Sequence, residues 1–271
     1  MFADPGNTFI YKGAKNVMHR TLRAAMTAVA LLGASLPAAA QSTPWEDRVF
    51  GGISFAFEGG ADDVSESRSF TVYGENGTLS STTDFDADAL IDLTVGARVW
   101  QNAGVALAYT SKSSTGVADI TGSVPHPLFF DRPRAIAETI DGIDRDESAI
   151  HLQFGWMFPV NDKIDVFVYV GPSFYDMSQD VVTDLAVAEQ GPPFTTVVVQ
   201  PTIQEREDGA TGYNLGADAT YMLYTRDRLR VGVGAFLRFT GATASLALSD
   251  GNRVETDLGG TQFGFGARFR F

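Results

Sequence analysis

The last nine residues, Phe263-Gly-Phe-Gly-Ala-Arg-Phe-Arg-Phe271, constrain the fold more than any other stretch. Extended as a strand, Phe263, Phe265, Ala267, Phe269 and Phe271 fall on one face, and Gly264, Gly266, Arg268 and Arg270 on the other. In water the ringed face is an aggregation hazard, with no polar residue after it to cover it. A lipid-facing strand of a closed barrel removes the hazard. The rings meet acyl chains, the arginines point into the lumen, and every backbone group finds a neighbour.

The start of the chain reads as an export signal. Met18-His-Arg-Thr-Leu-Arg23 is basic, Ala24 to Leu36 is apolar and uncharged, and Ala38-Ala-Ala40 offers small residues for cleavage. Thirteen apolar residues fall short of the roughly 20 that span a bilayer, and Pro37 ends the run. A signal peptide over 1–40 is therefore expected, with 1–17 upstream of a start at Met18 and a mature barrel domain over 41–271. Losing Lys12, Lys15, Arg20, Arg23 and Asp4 with it leaves 16 basic and 32 acidic residues, a net charge of −16. That balance argues against nucleic acid as a partner and disfavours a simple anion pore. The chain has no cysteine, which removes disulfides, lipid attachment at a lipobox and thiolate metal sites.

Beyond the signal, alternation repeats in segments near the 9–11 residues a tilted membrane strand needs. Eight such segments are expected. Outward faces begin with Val49, Ile53, Phe55 and Phe57, then Phe85, Ala87, Ala89, Ile91, Leu93 and Val95, then Val105, Leu107 and Tyr109. They continue with Ile150 to Phe158, Ile164 to Val170, Tyr213 to Tyr221, Leu229 to Phe239, and the terminal strand, whose phase blurs at Gly259-Gly260 where a bulge is expected. Short turns are expected at 101–103, 159–163 and 225–228, long connections at 59–83, 114–147 and 172–210, and a positive-φ turn at Asp250-Gly-Asn252. The fold class is all-β: a closed antiparallel eight-stranded transmembrane barrel with short periplasmic turns and long extracellular loops. A soluble sandwich or lipocalin-like barrel also alternates, but its inward face would have to be apolar. Here the faces opposite the apolar ones carry arginine and aspartate.

The eight-strand count and the alternating ending at Phe271 resemble the small outer-membrane barrels of the OmpA and OmpX type, over about residues 45–271. Thr121 to Phe130 also looks like a segment of bacterial barrels of this kind. The resemblance implies a place in the cell outer membrane, contact with outer-membrane lipid, and recognition of Phe263, Phe265, Ala267, Phe269 and Phe271 by the barrel-assembly machinery. A periplasmic peptidoglycan-binding domain of the sort some OmpA-like proteins carry is not expected.

Eight strands leave a bore that side chains fill. The inward list is Asp84, Asp86, Asp88, Asp92, Arg98, His151, Asp218, Arg230, Arg238, Arg268 and Arg270, and these are expected to form a paired network that plugs it. The competing reading is a selectivity lining in a narrow, cation-tolerant channel. A third reading, a lipid-modifying barrel enzyme, meets His151-Leu-Gln153 where lipid A deacylases carry His-x-Ser. No nucleophile elbow, His-Glu-x-x-His or phosphate loop occurs, so no enzyme, cofactor or metal is expected. His126, between two prolines, lacks ligand partners at metal spacing, and Asp62-Asp63 and Asp141 to Glu147 read as solvated acidic loops. Ser69 to Tyr73 and Thr78 to Ser80 flank an expected hairpin turn at Glu75-Asn-Gly77, and Asp180 to Val187 and Phe194 to Gln200 flank Gln190-Gly-Pro-Pro193. Both pairs are expected to extend barrel strands into a protruding sheet, whose edge either takes an extracellular partner or only stiffens the loops.

Overall fold

The computed structural model describes residues 45–59, 64–85, 89–226, 228–247 and 253–271. The export segment, Asp62-Asp63, Asp86, Asp88 and the Asp250-Gly-Asn252 turn lie outside them.

Eleven strands run in order: β1 (Val49–Gly59), β2 (Val64–Val72), β3 (Glu75–Phe85), β4 (Ala89–Trp100), β5 (Ala103–Val124), β6 (Arg134–Pro159), β7 (Ile164–Gln190), β8 (Thr196–Arg226), β9 (Leu229–Ala247), β10 (Arg253–Leu258) and β11 (Thr261–Arg270). Eight of them close a ring through β1, β4, β5, β6, β7, β8, β9 and β11, each antiparallel to its neighbours, with Phe50 opposite Arg270 at the seam. The remaining three continue ring strands upward. β3 occupies the place beside β5 that β4 holds lower down, β2 pairs β3, and β10 pairs the upper part of β9 above β11. The break between β10 and β11 falls at Gly259-Gly260, with Gly259 at a φ of +82°.

Two girdles mark the membrane. Near the short turns Trp100, Phe158, Tyr221 and Tyr224 stand exposed; eight to nine residues up the walls stand Phe57, Tyr109, Phe174, Tyr213 and Phe263. Eight residues at ~3.3 Å rise, tilted, suit the ~25 Å apolar band of such barrels. Between the girdles lie Ile53, Ile91, Leu93, Leu107, Phe154, Val170 and Leu237, all turned outward. This is the architecture of an outer-membrane β-barrel.

The walls do not stop at the upper girdle. β5 has 22 residues, β7 has 27 and β8 has 31. Most of what the sequence suggested as long connections at 114–147 and 172–210 is ladder, and the hairpin of β2 and β3 fills 64–85. The reason is an inversion of polarity. Above the girdle the outward residues are Asp119, Thr121, Asp144, Asp146 and Asp176, while Ile120, Val124, Ile143, Met177 and Leu258 point inward and are buried. Water has replaced lipid outside, so the apolar face must turn in.

Two local expectations are corrected. The β2–β3 turn is Tyr73-Gly74, at φ values of 54° and 80°, and not Glu75-Asn-Gly77. Gly77 is instead paired with Phe70, whose ring lies where a Cβ would be, within 2.5 Å. The sequence pattern puts Asp84 inward and Phe85 outward in one continuous strand with Ile91. On β3 Asp84 is exposed, and Phe85 lies beneath the buried Arg145 guanidinium at 5.4 Å. The two sides of 86–88 therefore alternate in opposite phase.

Candidate functional site

Buried side chains line the interior of the membrane-spanning ring in tiers. At the short-turn end the residues before β1 fold across the mouth. Trp45 is buried, its backbone N–H donates to Asn102 Oδ1 at 3.2 Å, and its backbone carbonyl accepts from Arg98. Its ring meets Phe50 edge-on at 5.4 Å, and Phe50 meets Phe167 at 5.1 Å. Arg230 holds Asp47 at 3.0 Å. Arg98 and Arg230 are thus rim residues that fasten this segment.

The next tier is ionic. Arg270 donates to Asp165 Oδ1 at 2.7 Å and to Thr220 Oγ1 at 3.2 Å. Arg268 grips Asp218 through Nε at 2.9 Å and Nη2 at 2.6 Å, and donates to Ser54 Oγ at 2.7 Å. Gly52 and Gly234 make room for it, since a Cβ at either would lie 2.8 Å from the arginine chain. Arg238 pairs with Asp92, and its guanidinium covers the Phe236 ring at 4.7 Å. The cavity left among Asp92, Asp218, Arg238, Arg268, Phe50 and Tyr169 is about 20 Å³. That is room for about one water molecule.

Above it, His151 is fully buried. Its Nδ1 lies 2.7 Å from Ser173 Oγ and its Nε2 lies 3.1 Å from Thr110 Oγ1. Asn214 reaches the same place for a backbone reason. Pro172 lacks an N–H, and the β6–β7 ladder skips from His151–Ser173 to Phe154–Val170. Asn214 Nδ2 lies 3.2, 3.1 and 2.9 Å from the carbonyls of Leu152, Gly171 and Pro172, which the break exposes. The uppermost tier joins four strands. Lys112 Nζ sits 2.5 Å from Glu58 and 3.3 Å from Glu147, Arg145 sits 3.3 Å from Glu147, and Gln262 donates to Glu58 at 2.5 Å.

Of the residues the sequence suggested, Asp92, His151, Asp218, Arg238, Arg268 and Arg270 meet in the bore. Glu58, Lys112, Arg145, Glu147, Asp165, Ser173, Asn214 and Trp45 share it and were missed as site residues. The signal for Lys112 was present: it follows Ala106, Ala108 and Thr110 in the inward phase. Arg145 and Glu147 follow the phase of His151 in the same way. On β11, Phe263, Phe265 and Phe271 are exposed outward, and Ala267 and Phe269 partly so.

The top of the molecule carries a second cluster. Arg134 ion-pairs with Glu189, donates to Phe194 O at 3.0 Å and to Pro125 O at 2.7 Å. Tyr73 donates to the same Glu189 at 3.1 Å. Three hairpin tips are thereby clasped over a small core of Val124, Ile136, Phe70, Val72 and Val197. The Arg134 guanidinium holds the Glu189 carboxyl below the usual carboxylate range, and Glu189 holds Arg134 above its ordinary value. Among the described residues no group of three or more His, Asp or Glu side chains is placed to hold a metal ion.

No protein family and no curated protein matches the chain. Among solved structures it is similar to the outer membrane protein OprG from Pseudomonas aeruginosa, at 12% identity and a TM-score of 0.41, over 83% of this chain and 96% of that one. Neisserial surface protein A is similar at 11% identity and a TM-score of 0.37, over 82% of this chain and 97% of that one. The outer membrane protease OmpT from Escherichia coli is similar at 10% identity and a TM-score of 0.38, over 84% of this chain and 98% of that one.

Proposed function

We propose that this chain is an outer-membrane surface protein: a closed barrel that anchors a folded extracellular storey, without enzymatic activity. In barrels of this architecture the short turns face the periplasm, which puts the tall walls outside. The observation that carries the reading is the fate of the bore. Below, paired charges surround a cavity of about 20 Å³, which favours a plugged bore. Above, Ile120, Val124, Ile143 and Met177 are each 1% exposed or less, so the upper interior is a packed core where a pore needs a wet vestibule. His151, the only strand histidine among the described residues, is buried in the same interior, out of a substrate's reach. Planar-bilayer recording of the refolded protein tests this. No stable conductance is expected, and reproducible single-channel openings overturn it. The enzyme alternative is tested by His151→Ala, with outer-membrane lipid composition expected to stay unchanged.

A further inference from the structure

The loop joining β5 to β6 ends in three consecutive bare apolar side chains. Leu128, Phe129 and Phe130 are 66%, 53% and 80% exposed. The frame beneath them is built. His126 Nδ1 accepts the Leu128 N–H at 3.1 Å, and its ring lies 4.9 Å from that of Phe129. The Arg132 guanidinium lies 5.6 Å from the same ring, and the Asp131 N–H donates to Glu75 at 2.7 Å. Contiguous apolar surface held out into water by such a frame marks a contact site.

The protein's own bilayer is out of reach. Tyr109 stands in the upper girdle and Val124 is 15 residues further along β5, about 50 Å of strand or roughly 35 Å of height at barrel tilt. A folded protein partner fits poorly too. A stable interface buries about 800 Å² on each side, and two rings and a leucine on a convex tip offer roughly half of that. A convex apolar tip with a guanidinium at its collar instead suits a lipid headgroup layer, with rings among acyl ends and Arg132 at the phosphate. The exposed Asp119, Glu138, Asp141 and Asp144 on the walls behind it repel an anionic surface. We propose that loop 125–133 docks into an apposed bilayer of zwitterionic phospholipid. This rests on the reading that the upper storey faces away from the cell.

The full chain in nanodiscs is the sample. A Phe130→Trp variant is titrated with phosphatidylcholine vesicles carrying brominated acyl chains, and its emission is compared with that of the parent. A blue shift with quenching of the added indole is expected. Flotation of the nanodiscs with vesicles is expected to fall at least about tenfold when Leu128, Phe129 and Phe130 are all changed to serine, and to weaken on vesicles rich in phosphatidylserine. Unchanged emission from the added indole, flotation that survives the serine changes, or tip-dependent clustering of nanodiscs without vesicles (a second copy as occupant) overturns the proposal. Orientation is read separately. The chain has no cysteine, so Phe130→Cys gives a unique thiol, and its labelling by an impermeant maleimide on intact cells tests the outward reading whatever the vesicles do.

Discussion

Arg268 on the closing strand and Asp218 on β8 meet inside the barrel at 2.6 Å, with the arginine side chain 5% exposed. The contact joins β11, whose far edge pairs the first strand, to a strand two places round the ring. It is a spoke, and Arg270–Asp165 and Arg238–Asp92 are others.

Removing one end of a spoke strands the other charge. Arg238→Ala leaves Asp92 buried without its partner and is expected to cost about 3–5 kcal/mol. Equilibrium urea unfolding in micelles, followed by heat-modifiable gel migration, measures it. Changing both Arg238 and Asp92 to leucine is expected to cost less than the single change.

Asn214 repairs a gap that Pro172 makes. Asn214→Leu keeps the branched outline but leaves carbonyls of Leu152, Gly171 and Pro172 without that donor. A loss of about 1–3 kcal/mol for each carbonyl left bare is expected in the same unfolding measurement. Adding Pro172→Ala restores an N–H and is expected to recover part of the loss.

The clasp at the tips should open in acid. Glu189 titrates lower when bonded to Arg134 than in a free chain. Its contribution is therefore complete above the ordinary value of 4.5 and is lost as pH falls through the folded value. Limited proteolysis at the tips is expected to accelerate below that window in the parent. In Glu189→Gln it is expected to be fast already at neutral pH.

Trp45 is held at the short-turn mouth by packing and by Asn102. Trp45→Ala is expected to cost about 3–5 kcal/mol through the cavity it leaves. The ion pairs above do not involve Trp45, so on the proposed reading bilayer recordings are expected to remain silent.

The membrane-spanning part was legible because lipid forces every outward residue to be apolar, and a period of two then shows plainly, as at Ile53, Phe55 and Phe57. The terminal strand and the turns after Trp100 and Pro159 follow from the same rule. The upper storey was hard to read because its alternation runs in the opposite sense. Asp119, Thr121, Asp141 and Asp144 look like loop residues unless Ile120 and Ile143 are assigned to an interior. The run from Asp141 to Glu147 hid Arg145 and Glu147, two members of the top tier, for that reason. Partners such as Asp165 and Arg270 lie 105 positions apart. Alternation places each inside, but only the ring order and its tilt decide which of them meet.

The swap of faces at the upper girdle also sets how deep the molecule rides. A shift inward by one pleat would carry Asp146 and Asp176, just above Ile150 and Phe174, toward hydrocarbon, and a shift outward would lift Phe57 and Tyr109 toward water. Each aspartate so displaced reaches only the interface and costs up to about 1 kcal/mol. β5, β6, β7 and β8 each change from apolar to polar on the outward face above this girdle, so the penalties add around the circumference. The chain thus has its waterline written into it, and a bilayer of the wrong thickness must deform to meet the protein.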